Sequence, residues 1–229
     1  SENPVFRHTL AQADSVFQGI AGFSILEEML RDEATSRIKH TEFAQPANLM
    51  IQIGLTAALK AEGVVADAVV GHSVGEVASA WAAGMLTLED ALRVSRERSR
   101  IQATAAGTGA MLAVGLGAEQ ALELMAPHGD LISLAAINSP RSVTIAGDRQ
   151  ALQALLAEAG ERKVFAKMLD VEVPYHSPLM EALKPQIREA LAGLQPVPAT
   201  TALYSTVSGG LNGERLYDAQ YWCDNVRNP

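Results

Sequence analysis

The sequence predicts an α/β fold made of a larger unit and a smaller one inserted into it. Three observations predict it. A short apolar run at 68–70 precedes the turn Gly71-His-Ser-Val-Gly75, and a helical pattern follows. Segment 110–171 has the order strand, helix, strand, strand, helix, strand. The remainder alternates helical patterns with single strands and contains no internal repeat. We therefore expect a large subdomain formed by 1–109 and 172–229, with a small subdomain at 110–171.

Composition narrows the possible functions. The chain has 229 residues, 48% of them hydrophobic, which is enough for a sizeable core. A net charge of −8, with no basic patch, argues against a nucleic-acid partner. One cysteine, Cys223, excludes an internal disulfide and a cysteine-rich metal site, which suits a reducing cytoplasm. Because no apolar run reaches the length of a membrane span, we expect no membrane association.

The first third of the chain predicts three helices. Asn3 is placed to cap the first, with Pro4 at its first helical position. Ser24 is placed to cap the second. The third, at 41–62, is closed by Gly63 and is apolar most of the way round, so we expect it to be buried against the strand before residue 71.

The turn that follows has the pattern of a nucleophile elbow. A buried strand at 68–70, a G-x-S-x-G turn and a helix would expose the hydroxyl of Ser73 above the sheet. We expect Gly71 and Gly75 to be required, since a Cβ at either would clash with the strand or the helix. The N–H of Val74, at the helix start, is the expected first oxyanion donor. The alternative is a tight strand–helix turn without chemistry.

The remaining elements predict the insert and the end of the large subdomain. The order βαββαβ within 110–171 is ferredoxin-like. Thr87 is placed to cap a helix before the insert, and Asp148 to cap one within it. The predicted elements are strands at 111–116, 131–137, 142–146, 164–171 and 201–207, and helices at 87–105, 118–126, 148–158, 178–194 and 218–225.

A serine nucleophile needs a base at neutral pH. We favour His176, which lies in the proline-bracketed loop 173–178 that follows the insert; the alternative is a capping or turn histidine without a catalytic role. His72 adjoins Ser73 and is expected to point elsewhere and pack at the elbow. No acid between Ser73 and His176 stands at a strand end, since Asp170 lies within a predicted strand. The pattern therefore suggests a Ser-His dyad in which a backbone carbonyl holds the imidazole. The other histidines are expected to be solvated or locally bonded: His8, His40 and His128.

The helix after the elbow helix carries four arginines. One of them could enter the cleft and grip a substrate carboxylate with two parallel hydrogen bonds. The alternative is a solvated helix face, and the residues alone do not select one arginine. The four are Arg93, Arg96, Arg98 and Arg100.

Six motifs, in this order along the chain, give it a family resemblance. With them the sequence resembles the malonyl-CoA:acyl carrier protein transacylase family, in the form of acyltransferase domains of type I polyketide synthases. The motifs are Gly71-His-Ser-Val-Gly-Glu76, Arg98-Ser-Arg100, Gly109-Ala-Met111, Asn138-Ser-Pro140, Val173-Pro-Tyr-His-Ser-Pro-Leu-Met180 and Tyr221-Trp-Cys-Asp-Asn-Val-Arg-Asn-Pro229.

The resemblance implies a fold and a set of roles. The fold would be an α/β-hydrolase-like core with a ferredoxin-like insert. Ser73 would carry the acyl ester, and His176 would be the general base. Arg98 would bind the free carboxylate of malonyl. Asn225 matches the position whose backbone carbonyl steadies the histidine. Gln45 matches a glutamine near the active site.

The resemblance also implies substrates and partners. Malonyl-CoA would be the donor and the phosphopantetheine of an acyl carrier protein the acceptor, beside neighbouring synthase domains such as a ketosynthase. No metal or redox cofactor is implied. His72 and Tyr175 would lie at the substrate. The residues Val74 and Tyr175 favour malonyl, because a bulky ring beside His176 leaves less room for the α-methyl group of methylmalonyl.

One departure from the family concerns the ends. The family begins with a strand ending in Gly-Gln-Gly, whose glutamine N–H is the second oxyanion donor, and this motif is not in the sequence. We expect the sequence to be part of a longer domain. Two other classes stay open, a serine esterase or thioesterase with the same elbow and a module without catalytic activity.

Overall fold

The structure is a computed structural model, and it describes residues 2–229. It contains two compact units. The first unit consists of the residues up to Arg100 together with Ile187–Trp222, and the second unit consists of Ile101–Gln186 and Cys223–Pro229. The second unit is wider than the predicted insert at 110–171. The segments on either side of the predicted insert are hydrogen-bonded to each other, because the N–H of Gly107 donates to the carbonyl of Glu172 (2.8 Å).

The helices begin where the capping residues place them. Asn3 Oδ1 accepts from the N–H of Phe6 (2.9 Å), and Ser24 Oγ accepts from that of Glu27 (2.9 Å), so both predicted caps are confirmed. The α-helices are α1 (Pro4–Ala21), α2 (Ile25–Met29), α3 (Thr41–Ala61), α4 (Gly75–Ala82), α5 (Leu88–Ala103), α6 (Ala118–Met125), α7 (Arg149–Glu161), α8 (Lys184–Ala190) and α9 (Ala219–Arg227).

The strands form one sheet in each unit. The first unit has the order β1-β6-β7, in which β1 and β6 are parallel. The second has the order β3-β4-β2-β5 with antiparallel neighbours throughout. The strands are β1 (Ala68–Val70), β2 (Ala110–Val114), β3 (Ile132–Ser139), β4 (Ser142–Gly147), β5 (Ala166–Met168), β6 (Ala202–Ser205) and β7 (Gly210–Leu211).

The strand before the elbow is not buried, and the prediction that it would be is wrong. Ala68 is exposed and Val70 is 67% exposed. Among the described residues β1 pairs on one side only, with β6, so it lies at a sheet edge. The long helix α3 was expected to pack against this strand. It packs mainly against α1 and α4 instead.

The sheet of the second unit separates two apolar layers. Successive residues of a strand point to opposite faces. Leu112 therefore joins the larger cluster, in which Leu124 of α6 and Leu152 of α7 are fully buried. Met111 joins a smaller cluster on the other face, where Tyr175 packs.

Several element boundaries differ from the predictions, and three of these differences are described here. Strand β5 covers three of the eight residues predicted at 164–171. The helix predicted at 178–194 starts as a 3-10 helix at Pro178–Leu183 and continues as α8. Strand β7 was not predicted, since two residues are too few to carry an alternating pattern.

Within residues 2–229, none of the helices combines the length and the apolar character needed to cross a membrane.

Candidate active site

The elbow residue Ser73 has a strained backbone. Its φ is +53°, a left-handed value that non-glycine residues rarely adopt and that costs about 1–3 kcal/mol. Two backbone bonds close the turn: the N–H of Gly75 donates to His72 O (2.9 Å), and the N–H of Glu76 donates to Ser73 O (3.0 Å). Strand, strained serine and helix follow one another as the sequence predicts.

The two glycines of the motif differ in what they tolerate. A Cβ at Gly71 would overlap the carbonyl group of Gly75, so the requirement for Gly71 is confirmed. The corresponding expectation for Gly75 is wrong. The nearest atom to a Cβ there is Gln52 Nε2, at 3.8 Å, which is an ordinary contact.

One arginine of α5 turns inward to the serine. The side chain of Arg98 is 1% exposed, and its Nη2 donates to Ser73 Oγ (3.1 Å). Its Nη1 donates to Gln45 Oε1 (2.6 Å), and Gln45 is itself buried. The structure thus brings together three residues that are 25 and 53 positions apart along the chain.

The other three arginines of α5 form ion pairs with carboxylates. Their geometry separates them from Arg98 and answers the question that the sequence left open. The pairs are Arg93 with Glu89 (2.9 Å), Arg96 with Glu42 (2.5 Å) and Arg100 with Glu97 (2.5 Å).

The two residues beside the serine are accessible. Val74 is the N-cap of α4, where backbone N–H groups lack helical acceptors, which suits the role of oxyanion donor that the sequence predicts. His72 is exposed. Both residues line a surface cavity of about 380 Å³ that Gln52 and Val70 also line.

The predicted base, His176, belongs to the second unit. It is 7% exposed and, like Ser73, has a left-handed backbone, with φ +57°. Its Nδ1 lies 2.7 Å from the carbonyl oxygen of Asn228. A carbonyl can only accept, so Nδ1 carries the proton and the lone pair of the neutral ring lies on Nε2. That tautomer is the one a general base requires.

The carbonyl that orients this ring was assigned to the wrong residue. The family resemblance implies Asn225, whereas in the structure the carbonyl beside Nδ1 belongs to Asn228. The last carbonyls of a helix have no helical donor. Several residues near the end of α9, which finishes at Arg227, therefore offer an acceptor, and only the tertiary structure selects Asn228.

A second contact on the histidine was not predicted. Ser133 Oγ, on β3, donates to the backbone carbonyl of His176 (3.0 Å). No motif marks this serine in the sequence. The neighbouring Tyr175 is half-buried and packs against Met111 and Ala135 of the smaller apolar cluster.

Among the described residues, no group of three or more histidine, cysteine, aspartate or glutamate side chains is arranged to hold a metal ion.

The chain resembles known proteins along its whole length. Residues 1–229 match the family model described as acyl transferase domain. The chain is 34% identical to mycoketide-CoA synthase of Mycobacterium tuberculosis over 98% of its own length and 5% of the relative. It is 38% identical to erythronolide synthase EryA3 of Saccharopolyspora erythraea, over 98% of the chain and 7% of the relative. It therefore spans a small part of the curated relatives it matches.

Solved structures give the same result. The acyltransferase domain from module 8 of the salinomycin polyketide synthase is 32% identical, with a TM-score of 0.94 over 99% of this chain and 53% of the other. The acyl transferase domain of SpnD, described in complex with 2-(pent-4-yn-1-yl)malonyl, is 31% identical, with a TM-score of 0.85. The match covers 99% of this chain and 54% of the other. The α/β fold is that of polyketide synthase acyltransferase domains, and the chain belongs to the acyl transferase domain family.

Proposed function

We propose that this chain transfers a malonyl extender unit from CoA to the phosphopantetheine thiol of an acyl carrier protein, through an ester on Ser73, in polyketide biosynthesis. One observation carries the proposal: the buried guanidinium of Arg98 bonds to Ser73 Oγ at 3.1 Å. A buried cation beside a nucleophile suits an acyl group that keeps a second, free carboxylate. The malonyl-derived group named for the SpnD domain is of this kind.

In this proposal the substrate carboxylate takes hydrogen bonds from Arg98, and Gln45 fixes the orientation of the guanidinium through the 2.6 Å bond. An acetyl group has no carboxylate to offer and would bind less productively. Tyr175 and His72 would lie near the rest of the acyl-CoA. The ring of Tyr175 leaves less room for an α-methyl branch, which is why malonyl is preferred to methylmalonyl.

The chemistry has two symmetrical halves. Ser73 Oγ attacks the thioester carbonyl while its proton passes to His176 Nε2, which must come within about 3 Å of it. The oxyanion of the tetrahedral intermediate accepts from the N–H of Val74. The C–S bond then breaks, and the proton moves from His176 to the sulfur of CoA. The phosphopantetheine thiol reverses these steps and releases Ser73, which gives ping-pong kinetics.

A serine esterase or thioesterase would use the same elbow, but two contacts favour the transferase. The Nδ1 of His176 bonds to the carbonyl of Asn228 at 2.7 Å, where the usual α/β plan of an esterase places a carboxylate. An esterase of unsubstituted acyl groups would also have no use for the buried Arg98.

The wider setting is part of the same proposal. The partners would be an acyl carrier protein and neighbouring synthase domains such as a ketosynthase, in the cytoplasm, without a metal or redox cofactor. The two units would correspond to the α/β-hydrolase-like core and the ferredoxin-like insert of the family.

The test is the intact mass of the full-length protein after brief exposure to malonyl-CoA or acetyl-CoA. We expect a malonyl-sized gain that Ser73→Ala abolishes. Arg98→Ala should slow malonyl transfer by about 10- to 100-fold, the value of a hydrogen bond to a charged group, and should not slow acetyl transfer. Arg93→Ala removes an exposed arginine of the same helix and is the matched control. Equal loss for both thioesters, or none, would refute the role of Arg98.

A further inference from the structure

The elbow helix begins with a buried carboxylate that the acyl-transfer chemistry does not use. Glu76 is fully buried. Its Oε1 accepts from the N–H (2.5 Å) and the Oγ1 (2.9 Å) of Thr206, and its Oε2 accepts from Tyr221 Oη (2.7 Å). Burying a carboxylate is costly unless donors replace the lost water. Three donors converge on this one, which makes it a built feature of the first unit.

The donors come from two other elements of that unit. Strands β1 and β6 are parallel, so their carboxyl ends lie at the same edge of the sheet. The elbow follows β1, and Thr206 follows β6. Tyr221 lies in the first turn of α9. The side chain of Glu76 therefore ties the elbow helix to the end of the neighbouring strand and to α9.

Tyr221 is fixed as a donor to this carboxylate. Burial raises the pKa of Tyr221 far above its usual range, and the charge of Glu76 raises that pKa further, so the hydroxyl keeps its proton. Ser205 Oγ lies 2.8 Å from the same hydroxyl. The ring of Tyr217 stacks on that of Tyr221, with centroids 3.5 Å apart and planes 7° apart. The ring has little freedom to turn away.

Glu76 is also bonded to the strained serine. Its backbone N–H donates to the carbonyl of Ser73 (3.0 Å). A strained conformation persists only where the surrounding structure holds it. Glu76 therefore has two connections: its backbone closes the strained turn, and its side chain is anchored by Thr206 and Tyr221.

From this arrangement we propose that Glu76, anchored by Tyr221 and Thr206, is a positioning residue that holds Ser73 and the N–H of Val74 in the geometry that stabilises the oxyanion. The inference rests on the proposed acyl transfer through Ser73. Because Arg98 and Gln45 contact neither Tyr221 nor Thr206 through the bonds described, loosening the anchor should slow acylation without weakening the binding of malonyl-CoA.

The test compares Tyr221→Phe with Tyr217→Phe in the full-length protein. Each variant removes one hydroxyl from a fully buried ring of the same stacked pair. The hydrogen bonds to the Glu76 carboxylate come from Thr206 and Tyr221 and not from the Tyr217 hydroxyl, so the loss of that hydroxyl leaves Glu76 anchored. Thr206→Ala is a third variant, which removes one donor and keeps the backbone N–H. The readouts are kcat and KM for malonyl-CoA, the rate of Ser73 labelling by a fluorophosphonate, and the thermal midpoint.

We expect Tyr221→Phe to lower kcat and the labelling rate by about tenfold or more, the value of a hydrogen bond to a charged group, with KM unchanged. Thr206→Ala should have a smaller effect in the same direction, and Tyr217→Phe should stay within about twofold of the wild type whatever its thermal midpoint. Rates that follow thermal stability in all three variants, or a Tyr221→Phe protein as fast as the wild type, would overturn the proposal. If Tyr221→Phe does not fold, Thr206→Ala against Tyr217→Phe decides.

The two proposals fail separately. A wild-type protein that reacts with the fluorophosphonate but gains no malonyl group refutes the proposed function, and the labelling rates still test the anchor. A wild-type protein that gains malonyl, with Tyr221→Phe gaining it equally fast, refutes the anchor alone.

Discussion

Ser73 and His176 have the same unusual backbone for different reasons. Their φ angles are +53° and +57°, and among the described residues Lys163 is the one other non-glycine residue with a positive φ. Ser73 is held within its own pentapeptide, where Gly71 leaves the space that the carbonyl of Gly75 occupies. His176 is held by Ser133, 43 positions away, and by Asn228, 52 positions away. The turn at the nucleophile is thus closed by neighbouring residues, one of which, Glu76, is anchored from a distance, whereas the base is held directly by distant residues.

This difference decides what a sequence can reveal. A local constraint leaves a motif, because the residues that impose it are neighbours in the chain. A constraint imposed by backbone carbonyls and single hydroxyls from distant parts of the chain produces no recognisable sequence motif. We therefore expect a single glycine substitution at the elbow to reduce the acylation of Ser73 strongly. Removal of single contacts to His176 should each reduce it by a smaller factor.

The largest effect is expected at the elbow. Gly71→Ala forces a Cβ against the carbonyl of Gly75, so we expect a loss of about 3 kcal/mol in stability and at least about 100-fold in Ser73 acylation. A Cβ at Gly75 makes an ordinary contact with Gln52 Nε2 (3.8 Å), and alanine is the better helix residue, so the control Gly75→Ala should gain about 0.4–1 kcal/mol. Urea denaturation and fluorophosphonate labelling measure both. Similar losses in the two variants would show that the elbow is not held by the close approach at Gly71.

The next largest effect is expected for a substitution of Tyr175, in the second unit, and it concerns the choice between malonyl and methylmalonyl. Tyr175→Ser removes the ring that packs on Met111 and Ala135, and should raise methylmalonyl transfer relative to malonyl. One methyl group is worth about 1–3 kcal/mol, so we expect a change of about tenfold in the ratio of the two kcat/KM values. Competition between the two thioesters, read by intact mass, measures it. An unchanged ratio would remove the steric argument for malonyl.

A smaller effect is expected at the support of the histidine. Ser133→Ala deletes the donor to the carbonyl of His176 and should slow acylation by about three- to tenfold, the value of one neutral hydrogen bond. Ser139→Ala, at the exposed end of the same strand, is the control. Single-turnover rates compare them. Equal rates would mean that the backbone of His176 is held without Ser133.

The smallest effect is far from the reaction. The hydrogen bond from Arg37 lowers the pKa of Glu28, against the opposing effect of burial. A carboxyl whose folded pKa lies below the unfolded one stabilises the fold above the unfolded pKa of about 4, and this contribution is lost as the pH falls through the lowered pKa. Glu28→Gln should thus cost about 1 kcal/mol at neutral pH, with Arg37 about half exposed.

The pH series is the measurement for this last prediction. The difference in unfolding free energy between wild type and Glu28→Gln should shrink as the pH falls from 7 to 3, and Glu27→Gln controls for the loss of one exposed charge. A difference that is constant with pH would show that Arg37 does not act on the charged form of Glu28.

Much of the local structure could be predicted from the sequence. Asn3 and Ser24 cap their helices, and the elbow forms at Ser73, because each depends on residues a few positions apart. The inward turn of Arg98 could not be derived from α5 itself, where four arginines look alike. The resemblance to a family selected it, and the bond to Ser73 agrees.

What could not be predicted depends on tertiary structure. The choice of Asn228 over Asn225 depends on which carbonyl of the final turn faces the ring. The exposure of Val70 depends on β1 lying at a sheet edge, which an apolar tripeptide cannot reveal. The anchor of Glu76 joins residues 130 and 145 positions apart, so no pattern marks it.

The proposed acyl transfer requires that Ser73 and His176 act on one reaction. The most direct measurement is the rate of Ser73 labelling by a fluorophosphonate in His176→Ala, compared with the wild type and with His128→Ala from the same unit. We expect a loss of about 10²- to 10⁴-fold in His176→Ala, the usual contribution of a general base, and none in His128→Ala. Labelling at the wild-type rate in His176→Ala would show that the serine is activated by another group.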